Sequence, residues 1–137
     1  MSNFLVGKTI KELKIADDKL ALLFDCDDGD HVVRVDGDCC SNTWVEGVEL
    51  PALGFPATVT EVNDLNMPDD GSEQAQSGEL AFYGCQIKTD KGEIVIDYRN
   101  ESNGYYGGNI VFPDDGYFYG GVYGQNVSSE KWVDIKG

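Results

Sequence analysis

A chain of 137 residues predicts a single domain over 1–137, able to bury roughly two-thirds of its unfolded surface and in no need of disulfides or metal to fold. Its 41% hydrophobic and 26% charged residues are ordinary for a globular domain, and 17 glycines among short β-branched and aromatic runs favour strands joined by turns. Charge is the outlier: 25 acidic against 10 basic side chains give a formal −15, a field that repels DNA, RNA and anionic membranes and attracts a basic partner, or on the plainer reading only keeps the protein soluble.

The first residues, Met1 to Lys8, hold no long apolar core, and no stretch approaches the ~20 apolar residues of a membrane span. The expectation is a cytoplasmic protein whose Cys26, Cys39, Cys40 and Cys85 are free thiols. Residues up to about 38 read as a β-meander. Thr9 to Ala16 alternates, with Leu13 and Ile15 on one face and Glu12 and Lys14 on the other. Asp17-Asp18 marks a turn. Leu20 to Phe24 is apolar enough to be buried on both faces, and Asp27-Asp28-Gly29-Asp30 forms a second turn with Gly29 suited to positive φ. His31 to Asp36 supplies a third strand.

A short helix is expected around residues 43–50. Thr43-Trp44-Val45-Glu46 fits a capping box, and Trp44 and Val48 would share a face, with Gly47 and Pro51 keeping the helix short. Ala57 to Val62 reads as a strand. Residues 66–79 form an acidic loop, expected to be mobile and a plausible contact surface. The hairpin Leu80–Thr89 and Glu93–Asn100 turns at Asp90-Lys91-Gly92, and Asn103 to Gly124 interleaves Gly with Tyr and Phe. A last strand runs from Lys131 to Ile135. The fold class expected is mainly β (α+β): an antiparallel, twisted sheet or small barrel with one short helix packed on it.

Candidate chemistry is sparse. His31 is the sole histidine and reads as an exposed turn residue rather than a catalytic base. Gly7-Lys8-Thr9 lacks the upstream glycine of a phosphate loop and reads as a strand entrance. Asp25 to Asp30 starts like a calcium loop, but Cys26 breaks the series of oxygen ligands. Adjacent Cys39 and Cys40 do not match zinc spacing, and the four thiols read as small core hydrophobes. No metal, cofactor or catalytic residue is therefore expected. Tyr105-Tyr106-Gly107-Gly108 and Gly116 to Gly124 set planar rings beside open backbone. That pattern suits a recognition surface or base stacking, or equally a glycine-kinked strand pair whose rings cover the core.

Asp38-Cys39-Cys40-Ser41-Asn42-Thr43-Trp44-Val45-Glu46 and the stretch from Asp97 to Gly108, with its Asn-Gly-Tyr-Tyr-Gly-Gly motif, resemble an uncharacterised family of small proteins encoded largely by bacteriophages. The likeness spans residues 5 to about 110. It carries over no functional residue. It implies a context in which small accessory proteins block host defences by binding a defence protein or by soaking up its nucleotide signal. The expected function is thus a non-enzymatic, phage-type inhibitor in the host cytoplasm, docking on a basic surface of a host protein. Tyr105, Tyr106, Tyr117 and Tyr119 would serve as anchors and Asp27, Asp28, Asp30, Asp69, Asp70 and Glu73 as steering charges. The alternative is a nucleotide-sequestering protein with an aromatic–glycine pocket and a local positive site from Arg34, Arg99 or Lys88.

Overall fold

The computed structural model describes residues 3–37, 42–66, 79–102, 108–114 and 128–135. Its strands are β1 (Thr9–Ala16), β2 (Ala21–Cys26), β3 (Gly29–Gly37), β4 (Asn42–Glu49), β5 (Ala57–Asn66), β6 (Glu79–Thr89), β7 (Gly92–Ser102), β8 (Gly108–Val111) and β9 (Trp132–Asp134). They form one nine-stranded sheet in the order β4-β7-β6-β5-β1-β2-β3-β8, with β9 beside β1. Every pairing is antiparallel. The edge of β1 opposite β2 is shared: Thr9 and Ile10 pair with β5, and Lys14 to Ala16 pair with β9.

The sheet is open, with β4 and β8 at the ends of its strand order. It curls until β4 returns against β3 and β8. Val45 N–H then donates to the carbonyl of Lys19 in the β1–β2 turn, at 2.8 Å. The concave face encloses the core, in which Leu5, Ile10, Phe24, Val45, Cys85, Ile87, Ile94 and Ile96 are fully buried. Period-two alternation does this work on each strand. Leu13 is buried and Ile15 packs on the core, while Glu12 and Lys14 face outward, as their spacing predicts. The Leu20–Phe24 run meets its expectation in part: Ala21, Leu22 and Phe24 are buried, while Leu20 and Leu23 stay partly accessible.

The expected helix at 43–50 is instead strand β4, bonded to β7 over its whole length. Trp44, Val45 and Val48 are strand formers, and Gly47 weakens a helix. The two capping residues find other partners, Thr43 across the sheet and Glu46 within β4. Thr43 Oγ1 donates to Asn100 Oδ1 at 2.8 Å with both residues buried, and Trp44 Nε1 donates to Glu46 Oε2 at 2.8 Å. A single isolated helical turn cannot match the backbone bonds of a full ladder.

Two hairpins share one construction. Cys26 pairs with Gly29 across Asp27-Asp28, and Thr89 pairs with Gly92 across Asp90-Lys91. In each the glycine alone takes positive φ, 123° at Gly29 and 124° at Gly92. This is the pattern of a tight turn closed by a glycine bulge.

Candidate functional site

The β2–β3 hairpin gathers the three carboxylates singled out among the described residues, Asp27, Asp28 and Asp30, and presents different chemistry on its two faces. Pairing of Phe24 with His31 and of Cys26 with Gly29 sets Cys26 and His31 on the concave side, with Cys26 buried in the core. The turn folds Asp28 over them. Asp25 and Asp30 alternate to the convex side.

On the convex side, strand register produces a row. Glu12 lies opposite Asp25 across β1–β2, and Asp25 lies opposite Asp30 across β2–β3. Those three carboxylates, with Lys14 and Leu23, line a shallow depression of about 150 Å³. Like charges directly opposite one another on neighbouring strands destabilise a sheet. Compensation is partial: Lys14 Nζ stands 3.6 Å from Glu12 and Lys11 Nζ 3.7 Å from Asp25, both pairs well exposed and worth little.

On the concave side, Asp28 accepts from Lys8 Nζ at 2.7 Å through Oδ2 and meets His31 Nε2 at 2.7 Å through Oδ1. The Lys8 hydrogen bond, then that of His31, holds the Asp28 carboxyl down at about 2, and Asp28 in turn raises the Lys8 ammonium. Asp27 pins the turn to the start of β1: its N–H donates to the Thr9 carbonyl at 2.9 Å, and its Oδ1 accepts from Thr9 N–H at 3.2 Å. His31 is not the exposed turn residue that its position in the sequence suggests. It sits within β3 with a side chain 19% exposed, its ring edge-on to Phe4 at 4.8 Å, and Lys8 covers the Phe4 ring at the same distance.

Cys26 Sγ, an Asp28 oxygen and a His31 ring nitrogen lie within 4.8 Å of one another. This set suits nucleophilic catalysis poorly, since burial and then the charges of Asp28 and Asp27 push the Cys26 thiol up to about 11. Cys85 is likewise a buried free thiol, pushed up to about 12 by burial and then by Asp64. Sequence reasoning missed the cluster because it weighed His31 and Cys26 separately. The signal available was the spacing itself: a turn between Cys26 and Gly29 brings residues 26, 28 and 31 to one end of one hairpin.

The cations that could have formed a positive site lie on three different strands, and each is held by a carboxylate. Arg34 on β3 pairs with Glu130, and Lys88 on β6 stands 3.3 Å from Glu61. Arg99 on β7 is buried between Asp97 at 3.3 Å and Glu46 at 3.9 Å, with its guanidinium 4.8 Å over the Phe82 ring. Tyr105, Tyr106, Tyr117, Tyr119, Asp69, Asp70 and Glu73 lie outside the described residues, as do Cys39 and Cys40. No helix among the described residues is long and apolar enough to cross a membrane.

A family model described as a domain of unknown function, DUF7448, matches residues 3–112, which takes in the strands from β1 to β8. No curated protein and no solved structure matches the chain.

Proposed function

The chain belongs to the DUF7448 family, and from the geometry of its own residues we propose that it is a non-catalytic binding protein that docks an acidic face on the basic surface of a partner protein. The observation that carries this is the carboxylate row Glu12–Asp25–Asp30 across three adjacent strands, which lines one depression. Alone, the row repels itself. A lysine or arginine side chain entering the depression relieves that repulsion, lays its stem on Leu23 and satisfies the carboxylates. The formal −15 of the whole chain extends the same field and speeds encounter with a basic surface.

The resemblance to phage-encoded proteins suggests the partner's context: a bacterial host protein, a component of defence, inhibited by occlusion of its basic surface in the host cytoplasm. Nucleotide sequestration is less well supported, because Arg34, Lys88 and Arg99 each already face a carboxylate.

The test is capture of proteins from a bacterial host lysate on the immobilised chain, identified by mass spectrometry, with the wild type beside Glu12→Gln/Asp30→Asn. The wild type is expected to retain a basic protein at low salt and the variant to lose it. Removal of the repulsion should leave the variant at least as stable as the wild type, by ~0.2–1 kcal/mol. Equal capture by both would contradict the proposal.

A further inference from the structure

We propose that Cys26, Asp28 and His31 are three protein ligands of a zinc-class divalent metal site on the concave side of the β2–β3 hairpin, with solvent at the fourth position. The three ligand atoms already stand within 4.8 Å of one another, supplied by one tight turn. Ligand distances of ~2.0 Å for imidazole and carboxylate and ~2.3 Å for thiolate put tetrahedral neighbours roughly 3.2–3.6 Å apart. To bind the ion, the Asp28–His31 contact of 2.7 Å must open slightly and the Cys26 sulfur, within 4.8 Å of the other two ligand atoms, must draw closer.

The donor set selects the ion. Thiolate, imidazole and carboxylate together suit zinc or cobalt, whereas calcium and magnesium take oxygen. The surroundings supply what such a site needs around its ligands. Lys8 holds Oδ2 of Asp28 at 2.7 Å and leaves Oδ1 turned toward His31, while the Phe4 ring packs against His31 and fixes its plane. A Cys26 thiolate with the carboxylates of Asp27 and Asp28 exceeds the Lys8 ammonium by two negative charges, matching a divalent ion. On binding, the Cys26 S–H bond breaks, its proton leaves to solvent, and the sulfur lone pair forms the metal–sulfur bond; no electron is transferred.

The experiment is titration of the reduced, intact chain with Co²⁺, followed by optical absorption and then by competition with Zn²⁺. The expected result is a thiolate-to-cobalt charge-transfer band with tetrahedral ligand-field bands, bleached by zinc. Cys26→Ser should abolish the charge-transfer band, His31→Gln should weaken binding ~10-fold or more, and Cys39→Ser/Cys40→Ser should change neither. His31 lies at the rim of the core, so His31→Gln keeps the test sound even if Cys26→Ser disturbs folding, which near-ultraviolet circular dichroism checks. Absence of the band in the wild type would overturn the proposal. So would its persistence in Cys26→Ser, its loss in Cys39→Ser/Cys40→Ser, or unaltered affinity in His31→Gln.

Discussion

Thr43 and Asn100, far apart in the chain, meet inside the protein through a 2.8 Å hydrogen bond from Thr43 Oγ1 to Asn100 Oδ1, at 1% and 0% exposure. The bond joins edge strand β4 to β7 where Thr43 and Asn100 stand opposite in register. Thr43→Val preserves shape and strand preference but removes the donor from a buried acceptor. It is expected to cost about 1–3 kcal/mol, read as a lowered urea midpoint with unchanged slope. An unchanged midpoint would show that the buried pair contributes nothing.

Gly29 and Gly92 occupy equivalent places in two hairpins, yet their surroundings differ. A Cβ at Gly29 meets nothing within 4 Å, whereas one at Gly92 would lie 2.9 Å from the backbone nitrogen of Ala52. Gly29→Ala should therefore cost only backbone strain, about 1 kcal/mol. Gly92→Ala should cost at least ~1 kcal/mol more, because the Pro51–Ala52 backbone must also move. Equal losses in denaturant unfolding would contradict the close approach.

The Asp28 carboxyl is held at about 2 against an ordinary 3.8, chiefly by the Lys8 hydrogen bond and next by His31. Because the folded value lies below the unfolded one, the contribution of Asp28 to stability is present above pH 3.8 and is lost as pH falls through about 2. Carboxyl ¹³C titration should place the Asp28 midpoint near 2, and Lys8→Met should shift it toward 3.8. A midpoint unmoved by Lys8→Met would contradict the assigned cause.

What was legible in the sequence was what local chemistry decides. Asp-Asp-Gly and Asp-Lys-Gly announce their turns because only glycine takes the required φ easily, and alternation in Thr9–Ala16 assigns its faces. The helix expected at Thr43 failed because the capping box is a local signal, while the ladder that overrides it comes from β7, distant in sequence. β8, only Gly108–Val111, was hidden in a glycine- and tyrosine-rich stretch and is defined by its pairing with β3. In the site, Asp27, Asp28 and Asp30 were recognisable as turn charges. The row Glu12–Asp25–Asp30 was not, since it depends on a register shift in β1 between Ile10 and Glu12 that no residue type there announces. His31 was misjudged because burial beside Phe4 depends on how the sheet curls.

The most direct test of the acidic docking face is the association rate of the captured partner, measured by stopped flow from about 0.05 to about 0.5 M salt, where screening shortens from roughly 13 Å to roughly 4 Å. The rate is expected to fall steeply with salt for the wild type and less steeply for Glu12→Gln/Asp30→Asn, with the two converging at high salt. A rate flat across that range, or an identical salt dependence in the two proteins, would contradict the claim that these carboxylates guide the partner onto the β1–β2–β3 face.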